Sequence, residues 1–191
     1  MAEKKILVIL GSPRKNGNSA ILARRIADGA RDNGAKVKEI FLQNLKISGC
    51  KGCGVCQKKM NSTCVIKDDM LKIYPEMKKA DAFIFATPVY WCSMSAQLKT
   101  FFDRSYAVVD MKAFTTPFTN KKFALAVSYA DPDVLGSGAI NIIRTFQDIM
   151  NFSKGECVGV LHGQAYAPGD IKTNKKLLDS AYETGQKLCV K

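Results

Sequence analysis

Three stretches of this sequence gather residue types that bind or react. In Gly11-Ser12-Pro13-Arg14-Lys15-Asn16-Gly17-Asn18-Ser19, hydroxyls, amides and one fork-shaped guanidinium precede a helical pattern. Such a set holds a terminal phosphate in a compact pocket at a helix N-terminus. Neither standard phosphate loop fits, because a dinucleotide fold needs G-x-G-x-x-G and a nucleoside triphosphatase needs Lys where Asn18 follows Gly17. The plain alternative is an ordinary turn with an Asn cap. Thr87-Pro88-Val89-Tyr90-Trp91-Cys92-Ser93-Met94-Ser95 holds the only tryptophan. There a rigid turn with an apolar wall and free backbone N–H groups can receive a flat heteroaromatic ring, or Tyr90 and Trp91 can simply cover the core.

The third stretch is Cys50-Lys51-Gly52-Cys53-Gly54-Val55-Cys56, followed by Cys64. Three thiols at every third position on a glycine-containing turn can converge on one centre, with the fourth folding back to close it. Bacterial ferredoxin runs open in the same way around a [4Fe–4S] cluster. Here Cys64 is followed by Val65 instead of Pro, and no second quartet exists, so one cluster per chain is the most this chain holds. Zinc also suits four thiolates but usually takes two separated C-x2-C pairs. Free or redox-active thiols are the third reading. Cys92 adjoins the aromatic loop, while Cys157 and Cys189 read as packing residues.

Elements must place these stretches together. Ile6–Leu10 is a continuous apolar run, the signature of a strand buried on both faces. A helical pattern over Asn18–Asn33 follows, with Asn18 as N-cap and Gly34 as the stop. Further strands are expected at Val37–Leu42, Asp81–Ala86, Lys121–Ser128 and Glu156–Leu161. Helices are expected at Asp68–Lys79, which Pro75 should kink or divide, and at Ala96–Tyr106, Ser137–Phe152 and Asn174–Leu188. Alternation of this kind predicts an α/β fold with an open, doubly wound, five-stranded parallel sheet, whose ligand loops lie at the carboxyl edge. The chain of 191 residues reads as one domain over 1–191, with a cysteine-rich insertion at about 43–67 and a second irregular stretch at Val108–Asn120.

Composition narrows the rest. The net charge of +12 favours anionic partners. The Lys pairs 58–59, 78–79, 121–122 and 175–176 are scattered, so a nucleic-acid stripe is not expected. Seven cysteines, an odd number with four close together, argue for thiols in a reducing, cytoplasmic compartment. No apolar run approaches a membrane span. The single histidine, His162, reads as a polar loop residue, and Asp68 and Asp69 as carboxylates at a helix start.

G-S-P-R-x-x-G-N-S after the first strand, P-V-Y-W after the third, and Gln97-Leu98-Lys99 with Phe102-Asp103-Arg104 resemble the NADPH-dependent FMN reductase branch of the flavodoxin-like superfamily. That resemblance covers most of the first 105 residues and implies strand order 2-1-3-4-5. It implies that Ser12, Arg14, Asn16, Asn18 and Ser19 bind the FMN phosphate, that Pro88, Val89, Tyr90 and Trp91 line the isoalloxazine, and that Tyr129 and Ala130 meet its far side. The cysteine run resembles that of the iron–sulfur flavoproteins of anaerobes, which implies Cys50, Cys53, Cys56 and Cys64 as ligands of a [4Fe–4S] cluster. Together these imply an FMN-dependent oxidoreductase that moves electrons between flavin and cluster. Without a cluster, the same site implies NAD(P)H-dependent reduction of a quinone, azo or nitro compound. A non-enzymatic flavin-binding electron carrier is the reading from another class, although flavodoxins are acidic and lack an Arg14. Assembly as a homodimer or homotetramer, through the two irregular stretches, and a redox partner such as a ferredoxin or a small-molecule acceptor complete the expectation. No residue is singled out as catalytic.

Overall fold

A computed structural model describes residues 3–58 and 63–190. Lys59, of the Lys pair 58–59, lies outside the described residues. The strands are β1 (Lys5–Leu10), β2 (Lys36–Phe41), β3 (Ala82–Tyr90), β4 (Ser93–Met94), β5 (Lys122–Tyr129) and β6 (Glu156–Gln164). The helices are α1 (Asn18–Asp32), α2 (Met70–Lys79), α3 (Ala96–Ser105), α4 (Ala139–Ser153) and α5 (Lys175–Cys189).

Five strands run parallel in the order β2-β1-β3-β5-β6. The expected five-strand order needs one correction, the two-residue β4, which turns back antiparallel onto the end of β3 through Val89↔Met94 and Tyr90↔Ser93. Alternation along the strands sorts side chains by size. Ala82, Ile84, Ala86, Ala124 and Ala126 share one face with α1 and α5. Phe83, Phe85, Phe123 and Leu125 share the other with α2, α3 and α4. Small residues let two helices lie close to the sheet, while stacked rings such as Phe83 on Phe85, 5.6 Å between centroids, fill the wider opposite layer.

Two further expectations change. Helix α2 passes through Pro75 undivided. The proline is on its exposed face. Strand β6 continues past Leu161 to Gln164, so His162 belongs to a strand, and Nδ1 of its ring lies 3.0 Å from the Tyr129 hydroxyl. Among the described residues no helix is long and apolar enough to cross a membrane.

Candidate functional site

Parallel strands bring the chain segments after β1, β3, β5 and β6 to one edge, and a cleft of about 490 Å³ opens there. Its walls are Ser12, Arg14, Gly17 and Asn18 after β1, Pro88, Val89 and Tyr90 at the end of β3, Ser128, Tyr129 and Ala130 at the end of β5, and Ala165–Pro168 after β6. That volume is within the usual range for a small-molecule or cofactor site.

The end nearest α1 is built for an anion. Gly17, not Asn18, is the N-cap, and no side chain caps the helix, so its first N–H groups face outward unsatisfied by a cap. The Ser19 hydroxyl is buried beside them without a hydrogen-bond partner. Gly17 is needed for space, because a Cβ there would come within 2.9 Å of Ser12 Oγ. The Arg14 side chain is exposed at the rim. A phosphate would give acceptors to the open helix end, so that end fits the terminal group of FMN.

Ser95 joins this loop to the aromatic one. Its Oγ donates to the Gly11 carbonyl at 2.7 Å and accepts from Leu98 N at 3.3 Å as N-cap of α3, while Ser95 N donates to Thr87 Oγ1 at 3.0 Å. At the other end of the cleft, burial first and then the charge of Asp133 push the Tyr129 phenol up.

Of the expected flavin residues, the cleft gathers Ser12, Arg14, Asn18, Pro88, Val89, Tyr90, Tyr129 and Ala130. Asn16, Ser19 and Trp91 are not among its lining residues. Asn16 Oδ1 instead accepts from Arg24 Nη1 at 3.1 Å. Trp91 is fully exposed at the tip of the β3–β4 hairpin, where it and Cys92 have φ of 46° and 57°. Positive φ at both central residues is the pattern of a type I′ hairpin turn. The sequence reading missed Ala165–Pro168, since a run of small residues around one tyrosine carries no binding signal until β6 is seen to end beside it.

The cysteine stretch leaves the sheet after β2 and is closed at its base. Asp69 N donates to Lys46 O at 3.1 Å, and Lys46 N donates to Asp69 Oδ2 at 2.9 Å. Ser48 N donates to Asp68 Oδ2 at 2.9 Å. Gly52 and Gly54 take left-handed φ of 64° and 65°, giving the tight path between Cys50 and Cys56. Cys50 and Cys53 are exposed, Cys56 is half-buried and Cys64 is buried. Burial and then the nearby Cys64 push the Cys56 thiol up, with smaller contributions from Cys50 and Cys53. Four thiols of this spacing match a cubane in number and chemistry. Among the described residues, however, no three His, Cys, Asp or Glu side chains are grouped closely enough to hold a metal ion. Cys157, expected to pack, is exposed on the edge strand, and Cys189 is half-buried with its thiol 3.5 Å from Ala30 O. Cys92 is exposed and does not line the cleft.

The family model described as NADPH-dependent FMN reductase matches residues 4–143. An iron–sulfur flavoprotein of Methanosarcina thermophila is 42% identical over 101 residues, covering 53% of this chain and 52% of that protein. The chain thus spans about half the length of that protein and of two further iron–sulfur flavoproteins that it matches. A putative NAD(P)H-dependent FMN-containing oxidoreductase of Bacillus subtilis is 29% identical over 181 residues, 93% of this chain and 94% of that one. Among solved structures, an NAD(P)H:quinone oxidoreductase from Methanothermobacter marburgensis superposes with a TM-score of 0.75 at 20% identity, over 98% of this chain and 96% of the other. That likeness shows the flavodoxin-like fold.

Proposed function

Because the chain belongs to the family of NADPH-dependent FMN reductases, we propose that it is an FMN-dependent oxidoreductase whose flavin exchanges electrons with a [4Fe–4S] cluster held by Cys50, Cys53, Cys56 and Cys64. The observation that carries the flavin assignment is the cleft itself, which has an open helix end at one side and aromatic and apolar walls at the other. Bound FMN supplies the electron-transfer chemistry, and the protein supplies binding, orientation and local charge. Arg14 and the α1 N-terminus hold the phosphate. Pro88, Val89 and Tyr90 back the ring on one side, and Tyr129 and Ala130 on the other.

The cluster assignment is supported by the spacing of the four cysteines, by the closed base of their loop and by the likeness to iron–sulfur flavoproteins 38–42% identical over about half of this chain. The thiols would be drawn together as the cluster binds, since ligand sites commonly form only with their metal. A second reading is favoured by their present separation and by the exposure of Cys50 and Cys53. In it the flavin works without a cluster, takes electrons from NAD(P)H and reduces a quinone, azo or nitro compound.

Anaerobic purification followed by FMN, iron and sulfide assays decides between them. About one FMN and four irons per chain is the outcome expected for a Cys₄ cubane. FMN without iron selects the cluster-free reductase, and a chain that binds no flavin overturns both readings.

A further inference from the structure

The side chain of Asn18 is occupied by protein. Its Nδ2 donates to the Ala167 carbonyl at 2.9 Å, and its Oδ1 accepts from Gly169 N at 2.8 Å and from Ile171 N at 3.4 Å. These bonds fasten the loop after β6 to the first residue of α1, at the phosphate end of the cleft. At the ring end the same loop is fastened again, because Ala165 N donates to the Tyr129 carbonyl at 2.7 Å and Gln164 Nε2 to the Ala130 carbonyl at 3.0 Å. A third tie folds the loop on itself, with Asp170 Oδ2 accepting from Tyr166 N at 3.1 Å and Ala167 N at 2.6 Å. Ala165–Pro168 is therefore stretched along the cleft from one end to the other, and each of its residues lines the cavity. At its middle stands Tyr166, whose surface is 84% exposed although its backbone is pinned on both sides.

A large aromatic held on a fixed backbone at the rim of a cofactor-sized cleft is prepared for a flat ligand. The backbone share of its ordering cost is already met by the ties, so more of the area it covers on binding counts toward affinity. We propose that Tyr166 forms a fourth wall of the flavin site, covering the ligand between its phosphate and its ring, and that Asn18 serves the ligand by holding that wall in place. This rests on the reading of the cleft as a flavin site. It makes Tyr166 a binding residue and Asn18 a positioning residue, whose side chain does not itself take the phosphate.

Dissociation constants of the flavin-depleted protein for FMN and for riboflavin, read from quenching of flavin fluorescence, test both parts. Riboflavin lacks the phosphate, so it separates a wall from a phosphate ligand. Tyr166→Ala is expected to weaken both flavins about tenfold, the size of one aromatic contact, and Tyr166→Phe to bind as the wild type. Asn18→Ala is expected to weaken both flavins by the same factor and to remove most of the effect of adding Tyr166→Ala, because coupled residues are not additive. Should Asn18→Ala fail to fold by its thermal melt, Asn18→Ser replaces it, and Tyr166→Ala, at an exposed position, still decides the wall. Affinities within twofold of wild type in Tyr166→Ala overturn the wall. A loss confined to FMN in the Asn18 variant, or no loss at all, overturns the positioning role. A wild-type protein that binds neither flavin overturns the flavin reading itself.

Discussion

Asp68 and Arg104 show how much one pair of side chains decides. Arg104, 1% exposed at the end of α3, donates through Nη1 to Asp68 Oδ2 at 2.6 Å and to Ser48 O at 2.7 Å, and through Nη2 to Asp68 Oδ1 at 3.0 Å. Ser48 and Asp68 stand at the two ends of the cysteine loop, so this guanidinium–carboxylate pair braces the base that the Lys46 and Asp69 bonds also close. Tyr74 adds a hydroxyl bond to the Arg104 carbonyl at 3.0 Å, and its own phenol is pushed up to about 12, chiefly by burial. Arg104→Met leaves a buried carboxylate unpaired, and a loss of about 3–5 kcal/mol, read as a lower midpoint in urea, is expected. Replacing both partners, Arg104→Met with Asp68→Leu, should recover much of it, since a packed apolar pair avoids the desolvation cost. The acid side follows from Asp68. Burial would raise its carboxyl, but the Arg104 bond, the N–H groups of Ser48 and Met70 and the Arg104 charge together hold it below the usual carboxylate range. Its folded value is depressed, so its contribution is fully present above about pH 4 and is lost as pH falls through the folded value. Urea midpoints measured from pH 7 down to pH 2 should therefore fall less steeply in Asp68→Asn than in wild type. A parallel fall would show that the pair does not set acid stability. Sequence reading saw Asp68 only as a helix-start carboxylate, because its partner is 36 residues away and a charge near a helix end reads as surface.

Helices α1 and α5 meet closely enough for their backbones to touch, and two glycines permit it. A Cβ on Gly185 would fall on the Ile26 carbonyl oxygen, and one on Gly29 on the Tyr182 carbonyl oxygen. Neither obstacle is a side chain that can rotate away. Gly185→Ala should gain about 1 kcal/mol of helix propensity yet lose about 1–3 kcal/mol to overpacking, so a lower melting temperature is expected. A higher one would mean that the helices separate without cost. The elements themselves were legible where pattern and burial agree. Ile6–Leu10 and Phe83–Ala86 are unbroken apolar runs because both faces of the sheet are covered. Reading failed at strand ends. Pro88 masks the extension of β3, which tolerates it at the last turn of the ladder opposite Ser128. His162 and Gly163 mask that of β6, where a Cβ on Gly163 would crowd Leu177 and Ile171. The missed fourth wall of the cleft follows from that second error, because the loop that carries Tyr166 begins only where β6 actually ends.

At the scale of the whole molecule, the excess charge has a definite consequence. Lys and Arg number 29 against 17 Asp and Glu. Several of the carboxylates are also paired locally, Glu39 with Arg24, Glu76 with Lys38, Asp69 with Lys72, Asp103 with Lys99 and Asp148 with Arg144. Pairs on the surface contribute little to stability, but they cancel the field of the bases they touch, so the remaining cations dominate what an approaching molecule experiences. An acidic redox protein is then drawn in over roughly one Debye length, about 10 Å at 0.1 M salt, and its encounter rate rises by 10-fold or more. An uncharged quinone feels none of this. Electron transfer with an acidic ferredoxin, followed by stopped-flow absorbance of the flavin, should slow about tenfold or more between 20 mM and 500 mM salt, on the order expected for steered association. The rate with an uncharged quinone should change by less than about twofold under the same conditions. Equal salt dependence for the two acceptors would show that the positive surface does not choose the partner, and would leave selection to the shape of the cleft.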